Sequence, residues 1–242
     1  MNKLEKQLCI VLRAVNYRDN DKILTLFSQE NGKLTASARG ARAMKSAIRA
    51  AAQPFCCAEY EFYQKKDRLY ITNALIKQEF FNVQNDYGKF TAGCVMLEFC
   101  EKIPGEDTPG GGRLFSVLAH TLYAMEAGQA GPDEALAYFL VQAADFLGIF
   151  PALRFCAVCG AEIKNVTHWS AREGGCVCPG CAPAARSKNA PESIGRIAVL
   201  RGVRPADIRA ACGNIDGTLV STMAEYLLEA GDVKLKTMRY YQ

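Results

Sequence analysis

The chain has one tryptophan, two histidines and no long apolar run, and each scarcity removes a class of function. No stretch approaches the roughly 20 consecutive apolar residues of a membrane helix, so no membrane span is expected. The opening Met1-Asn2-Lys3-Leu4-Glu5-Lys6 lacks the apolar core of a signal peptide, which predicts a cytoplasmic protein. Histidine chemistry is limited to His120 and His168. Neither is followed by x-Glu, since His120 precedes Thr121-Leu122 and His168 precedes Trp169-Ser170, so the H-x-E element of a zinc deaminase is missing. The sequence also lacks a phosphate-binding P-loop, an H-E-x-x-H pair and a G-x-S-x-G elbow. Internal repeats and low-complexity segments are absent as well. These absences predict a protein that is not an enzyme and has no small-molecule substrate.

Cysteine, by contrast, is plentiful. Eleven are present, and four form two C-x-x-C knuckles, Cys156-Ala157-Val158-Cys159 and Cys178-Pro179-Gly180-Cys181, eighteen residues apart. Paired knuckles at this separation are a zinc signature, because each turn presents two thiolates to one tetrahedral ion. Gly160 and Pro179-Gly180 supply the tight turns. A closed four-thiolate shell leaves no position for water, so Cys156, Cys159, Cys178 and Cys181 are expected to hold a structural Zn2+. Cys176 is the rival for Cys178, but C-x-C chelates one ion less well than C-x-x-C. His168 is a further, unnecessary donor. Redox use of a C-x-x-C needs a helix start in a βαβ setting, and two paired motifs argue for metal instead. Cys9, Cys56, Cys57, Cys94, Cys100, Cys176 and Cys212 show no framework spacing and read as reduced, buried thiols.

Charge is uneven along the chain. Residues 1–80 carry 14 Lys/Arg against 8 Asp/Glu, whereas residues 81–242 carry 15 against 17. The basic N-terminal part suits a polyanion. Its texture is β. Leu8, Ile10 and Leu12 alternate with Cys9, Val11 and Arg13; Ile23–Phe27 is a short apolar run; Lys33–Ala38 follows the Asn31-Gly32 turn. Ala58, Tyr60 and Phe62 alternate with Glu59 and Glu61, and Leu69–Thr72 follows the turn at Asp67. About five strands, with a short helix possible over Ala41–Ala52 after the third, predict a Greek-key barrel of the OB type. An SH3-like barrel or an open sheet are the competing patterns.

Beyond residue 82 the period becomes helical. Ala92, Val95, Met96, Phe99, Cys100 and Ile103 form one stripe. Leu114, Val117, Leu118, Thr121, Leu122 and Met125 form a second, and Leu136, Phe139, Leu140, Ala143, Phe146 and Leu147 a third. Breaks fall at Pro104-Gly105 and Pro109–Gly112. Helical texture resumes at Glu192–Leu200, Pro205–Ala211 and Leu219–Ala230. The expected architecture is α+β, β then α: an OB-like barrel over residues 1–80, then a helical domain over 81–242 with a zinc subdomain at 153–185.

The segment Arg39 to Arg49 holds four cations in eleven residues and leaves a strand through Gly40. Cations on a barrel rim can follow phosphates while barrel aromatics stack bases. The candidate DNA-contacting residues are Lys33, Arg39, Arg42, Lys45, Arg49 and Lys65. Tyr17, Phe27, Tyr63 and Tyr70 are the candidate aromatics, Phe27 being better suited to the core.

Taken in order, these features resemble the RecO family of bacterial recombination mediators over essentially the whole chain. Asn16-Tyr17-Arg18-Asp19-Asn20-Asp21-Lys22 resembles that family's first hairpin, and Arg39–Ser46 its basic loop after the third strand. Leu147-Gly148-Ile149-Phe150-Pro151 resembles the entry to its zinc region. Some members lack the zinc ligands, so zinc here rests on this chain's own cysteines. The resemblance implies a nucleoid-associated DNA-repair protein that binds single- and double-stranded DNA and anneals complementary strands. It implies cooperation with RecR in loading RecA onto DNA coated by single-strand-binding protein (SSB), and capture of the acidic SSB tail on the helical domain. Arg113, Arg154, Arg196, Arg201 and Arg204 are the arginines available for that tail. An OB-type RNA-binding or ribosome-associated zinc protein, and an assembly scaffold, are the readings that do not depend on the resemblance.

Overall fold

The computed structural model describes residues 3–103, 111–204, 207–208, 215 and 217–241. The chain falls into two compact units. One comprises the chain up to Asn85 with Leu97–Ala119; the other comprises Asp86–Met96 with the chain from His120 onward.

The first unit is built on five strands: β1 (Lys3–Tyr17), β2 (Asp21–Ser28), β3 (Gly32–Ala38), β4 (Cys57–Lys65) and β5 (Arg68–Gln78). They close into a barrel in the order β1-β2-β3-β5-β4, β4 returning to β1. All pairings are antiparallel except β3 with β5, where Ala36 faces Leu69 and Ser37 faces Tyr70. This is the OB-type Greek key expected from the sequence. Closure depends on β1. Its first half pairs with β4, from Lys3↔Tyr63 to Ile10↔Cys57, and its second half with β2, from Cys9↔Ser28 to Tyr17↔Asp21. The register with β2 shifts between Val11 and Arg13, a bulge that bends the strand from one partner to the other.

Cys9, Val11, Leu24, Leu26, Ala36, Ala38, Ala58, Tyr60, Phe62 and Ile71 belong to one buried cluster, the barrel core. Alanines on β3 and β4 leave room for the stacked rings of Tyr60 and Phe62, 6.1 Å apart. The other face of β1 and β2 is not solvated either. Ile10, Leu12 and Phe27 are buried, and Phe27 packs 6.2 Å from Phe115. Burial on both faces explains why residues 8–12 carry no polar alternation.

The segment Ala41–Ala52 is not the helix the sequence allowed. It is a strap of successive turns, with Ala43 N–H bonded to Gly40 O at 3.0 Å, Ser46 to Ala43 at 3.1 Å and Arg49 to Ser46 at 3.3 Å. Gly40 takes φ +66° at its start, a left-handed turn that a helix does not use. Ala41, Ile48, Ala51 and Ala52 join the barrel core, but Met44 and Lys45, which a helix would set on the same face, are exposed.

In the second unit, α4 (Pro132–Phe146) is buried at every residue from Ala135 to Ala144, because that stretch is apolar on all sides. Pro132 opens it, and the Glu134 carboxylate accepts the Gly131 N–H at 2.8 Å. It packs on α5 (Arg196–Gly202) and α6 (Gly217–Gly231), which bury Ile197, Leu200, Leu219, Val220, Met223, Tyr226 and Leu227. The buried Gln142 amide donates to the Leu200 and Arg201 carbonyls at 2.8 and 3.1 Å, satisfying acceptors that the end of α5 leaves open. A short α1 (Phe81–Asn85) precedes α2 (Tyr87–Lys102), and α3 spans Gly111–Glu126. The stripes read from the sequence for α2 and α3 are buried throughout. A 3-10 turn, Glu192–Gly195, precedes α5. The expected break at Pro104-Gly105, the Pro109-Gly110 pair, most of the expected helix Pro205–Ala211, and Cys212 lie outside the described residues.

Between α4 and α5 a small sheet forms in the order β7-β6-β8, from β6 (His168–Ser170), β7 (Gly175–Val177) and β8 (Lys188–Asn189). Ala152 docks against Gly175 so closely that a β-carbon there would lie 2.3 Å from the Ala152 carbonyl oxygen. Among the other cysteines, Cys9, Cys56, Cys57, Cys100 and Cys176 are buried free thiols and Cys94 is half-buried. Burial pushes Cys9 and Cys56 up to about 12 and Cys176 up to about 11, which keeps them protonated and inert.

Candidate metal centre and nucleic-acid interface

The two knuckles converge. The sulfurs of Cys156, Cys159, Cys178 and Cys181 all lie within 4.8 Å of one another, and Cys159 Sγ is 3.8 Å from Cys178 Sγ. A tetrahedral ion bonded at about 2.3 Å to each sulfur sets them about 3.8 Å apart. The backbone builds this spacing. Gly160, at φ +73°, turns the first knuckle so that its N–H meets the Cys156 carbonyl at 2.9 Å, and Cys181 N–H meets the Cys178 carbonyl at 3.0 Å. The Cys178 N–H points at Cys156 Sγ, 3.3 Å away. That bond, with others from the Cys159 and Val158 backbone, lowers the Cys156 thiol to about 6. Cys181 goes the other way, to about 12, because Cys178 and Cys159 hold its proton. A dication held here would favour the thiolate form of Cys181 and release its proton.

The structure brings Cys178, not Cys176, into this group. Cys176 is buried opposite Trp169 on the small sheet, its N–H bonded to Ala152 O at 2.7 Å. His168 is not among the donors, and its Nδ1 lies 2.8 Å from Thr167 Oγ1.

On the barrel, a cleft of about 720 Å3 opens between the β1–β2 turn, the β2–β3 face and the β4–β5 turn. It is lined by Tyr17, Arg18, Asp21, Arg39, Arg68 and Tyr70 among others. In OB barrels the β2–β3 face with these two turns is where oligonucleotides lie. Tyr70 stacks on its cross-strand partner Tyr63, ring centroids 4.9 Å apart, and the Arg39 guanidinium covers Tyr70 at 4.4 Å. Arg18 lies over Tyr17 at 5.2 Å.

The cations named from sequence divide by what they touch. Lys33 Nζ donates to the Glu101 and Ile103 carbonyls, both at 2.9 Å, and so caps the end of α2. Arg42 donates to the Asp19 and Arg18 carbonyls at 2.9 and 3.2 Å, fastening the strap to the β1–β2 turn. Arg39 stacks at the cleft. Lys45, Arg49 and Lys65 are exposed and make no ion pair among the described residues. Elsewhere on this unit, Lys6 pairs with Glu61 at 2.9 Å, Arg13 with Glu101 at 3.0 Å and Lys77 with Glu59 at 3.1 Å. Arg18, Lys66 and Arg68, absent from the sequence-derived set, are equally unpaired and lie at the cleft's two turns. The signal that finds them is the OB strand order itself, which brings residues 18 and 68 to one mouth.

Phe27 is core, not platform. Of the arginines named for an acidic tail, Arg154, Arg201 and Arg204 pair with Glu162, Asp145 and Asp207. Arg113 groups with the barrel unit. A second cavity, about 420 Å3, is lined by Trp169, Ala171, Arg172, Ala185, Arg186 and Lys188 among others. Trp169 Nε1 is buried with no hydrogen-bond partner among the described residues, its ring 5.6 Å from that of Tyr226.

The barrel and the helical segments each match one half of a known family. Residues 1–80 fit the model for Recombination protein O N terminal, and residues 84–218 that for Recombination protein O C terminal. The chain belongs to the RecO family. One relative, from Anaeromyxobacter sp. (strain K), is 32% identical over 205 residues, 84% of this chain and 80% of its own. Another, from Nocardioides sp. (strain ATCC BAA-499 / JS614), is 29% identical over 245 residues, 99% of each chain. A third, from Alkaliphilus metalliredigens (strain QYMF), is 30% identical over 171 residues, 71% of this chain and 69% of its own. All three are named DNA repair protein RecO. Among the described residues, no helix of this RecO-family chain is long and apolar enough to cross a membrane.

The contacts of Lys33 set an expectation. Lys33→Ala strips donors from two carbonyls and should cost about 1–3 kcal/mol of stability by urea unfolding. Lys45→Ala, which loses no such bond, should leave the unfolding midpoint unchanged.

Proposed function

We propose that this protein is a non-catalytic DNA-repair factor whose barrel mouth holds DNA by its phosphates and anneals complementary strands. The observation that carries this reading is a set of cations without ion pairs among the described residues: Arg18 and Arg68 line the OB cleft with Arg39, Lys65 and Lys66 sit where β4 turns into β5, and Lys45 and Arg49 lie on the strap that leaves β3. Annealing requires that two phosphate backbones be screened while base edges stay free. The ring arrangement favours that outcome. Tyr70 already has Tyr63 on one side and Arg39 over its ring, so the cleft offers few open faces for stacking bases. As a family member, it would act at the nucleoid, with RecR, to help RecA displace SSB.

The SSB tail is assigned to the second unit. An acidic tail ending in an aromatic needs an apolar pocket with free arginines, whose planar forks grip carboxylates. The cavity over Trp169 is the candidate, since Arg172 and Arg186 make no ion pair among the described residues, although Glu173, Glu225 and Glu229 also line it. The experiment is annealing of SSB-coated complementary oligonucleotides. The protein should speed it, and should lose that advantage when SSB lacks its tail or when Arg172 and Arg186 are both alanine. Equal rates with and without the protein would refute annealing; full activity of the double variant would move the tail elsewhere.

The four-cysteine group is assigned to zinc, because two C-x-x-C knuckles closing one all-sulfur tetrahedral shell are the pattern of structural zinc sites. Cys156, Cys159, Cys178 and Cys181 would hold it, and its role is to tie the two knuckles together. Purified protein should contain one zinc per chain, and Cys181→Ser should lower that content and expose residues 153–185 to protease. Metal-free protein with all four thiols reduced, and no change in protease sensitivity, would contradict the assignment.

A further inference from the structure

Met44 is 90% exposed, the most exposed large hydrophobic residue described. It does not sit on a loose loop. The turn around it is closed by the Ala43-to-Gly40 and Ser46-to-Ala43 bonds, and Arg42 fixes the strap's start to the β1–β2 turn. At the far end, the Tyr60 hydroxyl donates to the Ala51 carbonyl at 2.6 Å and Lys22 Nζ to the Ala52 carbonyl at 3.0 Å. Ile48, four residues after Met44, packs against the barrel core. The strap therefore holds Met44 outward on a rigid base, with Lys45 next to it in the chain and Arg49 further along the same strap, neither in an ion pair among the described residues.

The local field is positive. Lys22, under the strap, has its pKa lowered first by burial and then by Arg42 and Arg49. An anion with an apolar interior is the ligand that suits a fixed apolar tip among such cations. A nucleic-acid strand is one: phosphates outside, stacked bases within. Proteins that kink or open DNA place apolar wedges between base steps in this way, next to Arg or Lys on the backbone. Methionine is suited to the task by its long, unbranched and polarisable side chain.

Resting on the reading that the barrel mouth binds DNA, we infer that Met44 is an apolar wedge that enters the base stack of the strand held by the strap's cations. Its work is to separate neighbouring bases, which loosens the structure of a strand before it pairs with its complement. Lys45 and Arg49 supply attraction; Met44 supplies the opening.

The test uses the full chain with a single strand and a duplex, each carrying 2-aminopurine, a base that brightens when unstacked. Anisotropy reports binding and 2-aminopurine intensity reports unstacking. Wild-type protein should raise both signals. Met44→Ala should keep affinity within about twofold, since phosphate contacts dominate it, and lose most of the 2-aminopurine rise. Met44→Leu should restore the rise. If anisotropy rises without brightening, or if Met44→Ala brightens like wild type, the wedge is wrong while DNA binding stands. If wild-type anisotropy does not change, the DNA-binding reading fails and the wedge fails with it.

Discussion

Closure of the barrel through β1 is the constraint on which the first unit depends. One strand of fifteen residues pairs with both β2 and β4, and it can do so only because the bulge between Val11 and Arg13 bends it. Closure removes the open sheet edges and buries Tyr60 and Phe62. It also sets where the connections fall. The β1–β2 turn, Arg39 at the start of the strap and the β4–β5 turn line one cleft, which the pairing of β3 with β5 brings together.

Charge follows from that geometry. On the barrel wall, Lys6 and Lys77 are matched by carboxylates on β4, and Arg13 by Glu101. Around the cleft, Arg18, Lys65, Lys66 and Arg68 have no such partners among the described residues, and neither do Lys45 and Arg49 on the strap. A modest net charge of +4 thus conceals a concentrated positive surface. The strap contributes rigidity as well as charge. Arg42 gives up part of its freedom to hold the β1–β2 turn, so one cation organises the positions of others.

Much of this was legible in the sequence. Period-two alternation in residues 56–62 marks β4, the turn signals mark the hairpins, and the helical stripes of α2 to α4 predict their buried faces. The paired C-x-x-C spacing named the four sulfurs that converge. What was not legible depends on tertiary contact. Alanine content over Ala41–Ala52 suggested a helix, but the barrel mouth drew Ala41, Ile48, Ala51 and Ala52 inward and left a chain of turns. Lys33 reads as a surface cation until the end of α2 comes within reach of its ammonium group. Arg18 and Arg68 are fifty residues apart in sequence and share a cleft only after β3 and β5 pair in parallel. Cys178 and Cys176 could be ranked by chelate geometry, and the small sheet separates them by burying Cys176 against Ala152 and Trp169.

The salt dependence of single-stranded DNA binding tests the central claim most directly. With about four phosphates engaged, log affinity should fall with log salt at a slope of about −3. Replacing Arg18, Lys45, Arg49 and Arg68 together by alanine should weaken binding to all sequences alike and flatten that slope towards zero. An unchanged affinity and slope in this variant, with its fold intact, would contradict the account and place the DNA surface away from the barrel mouth.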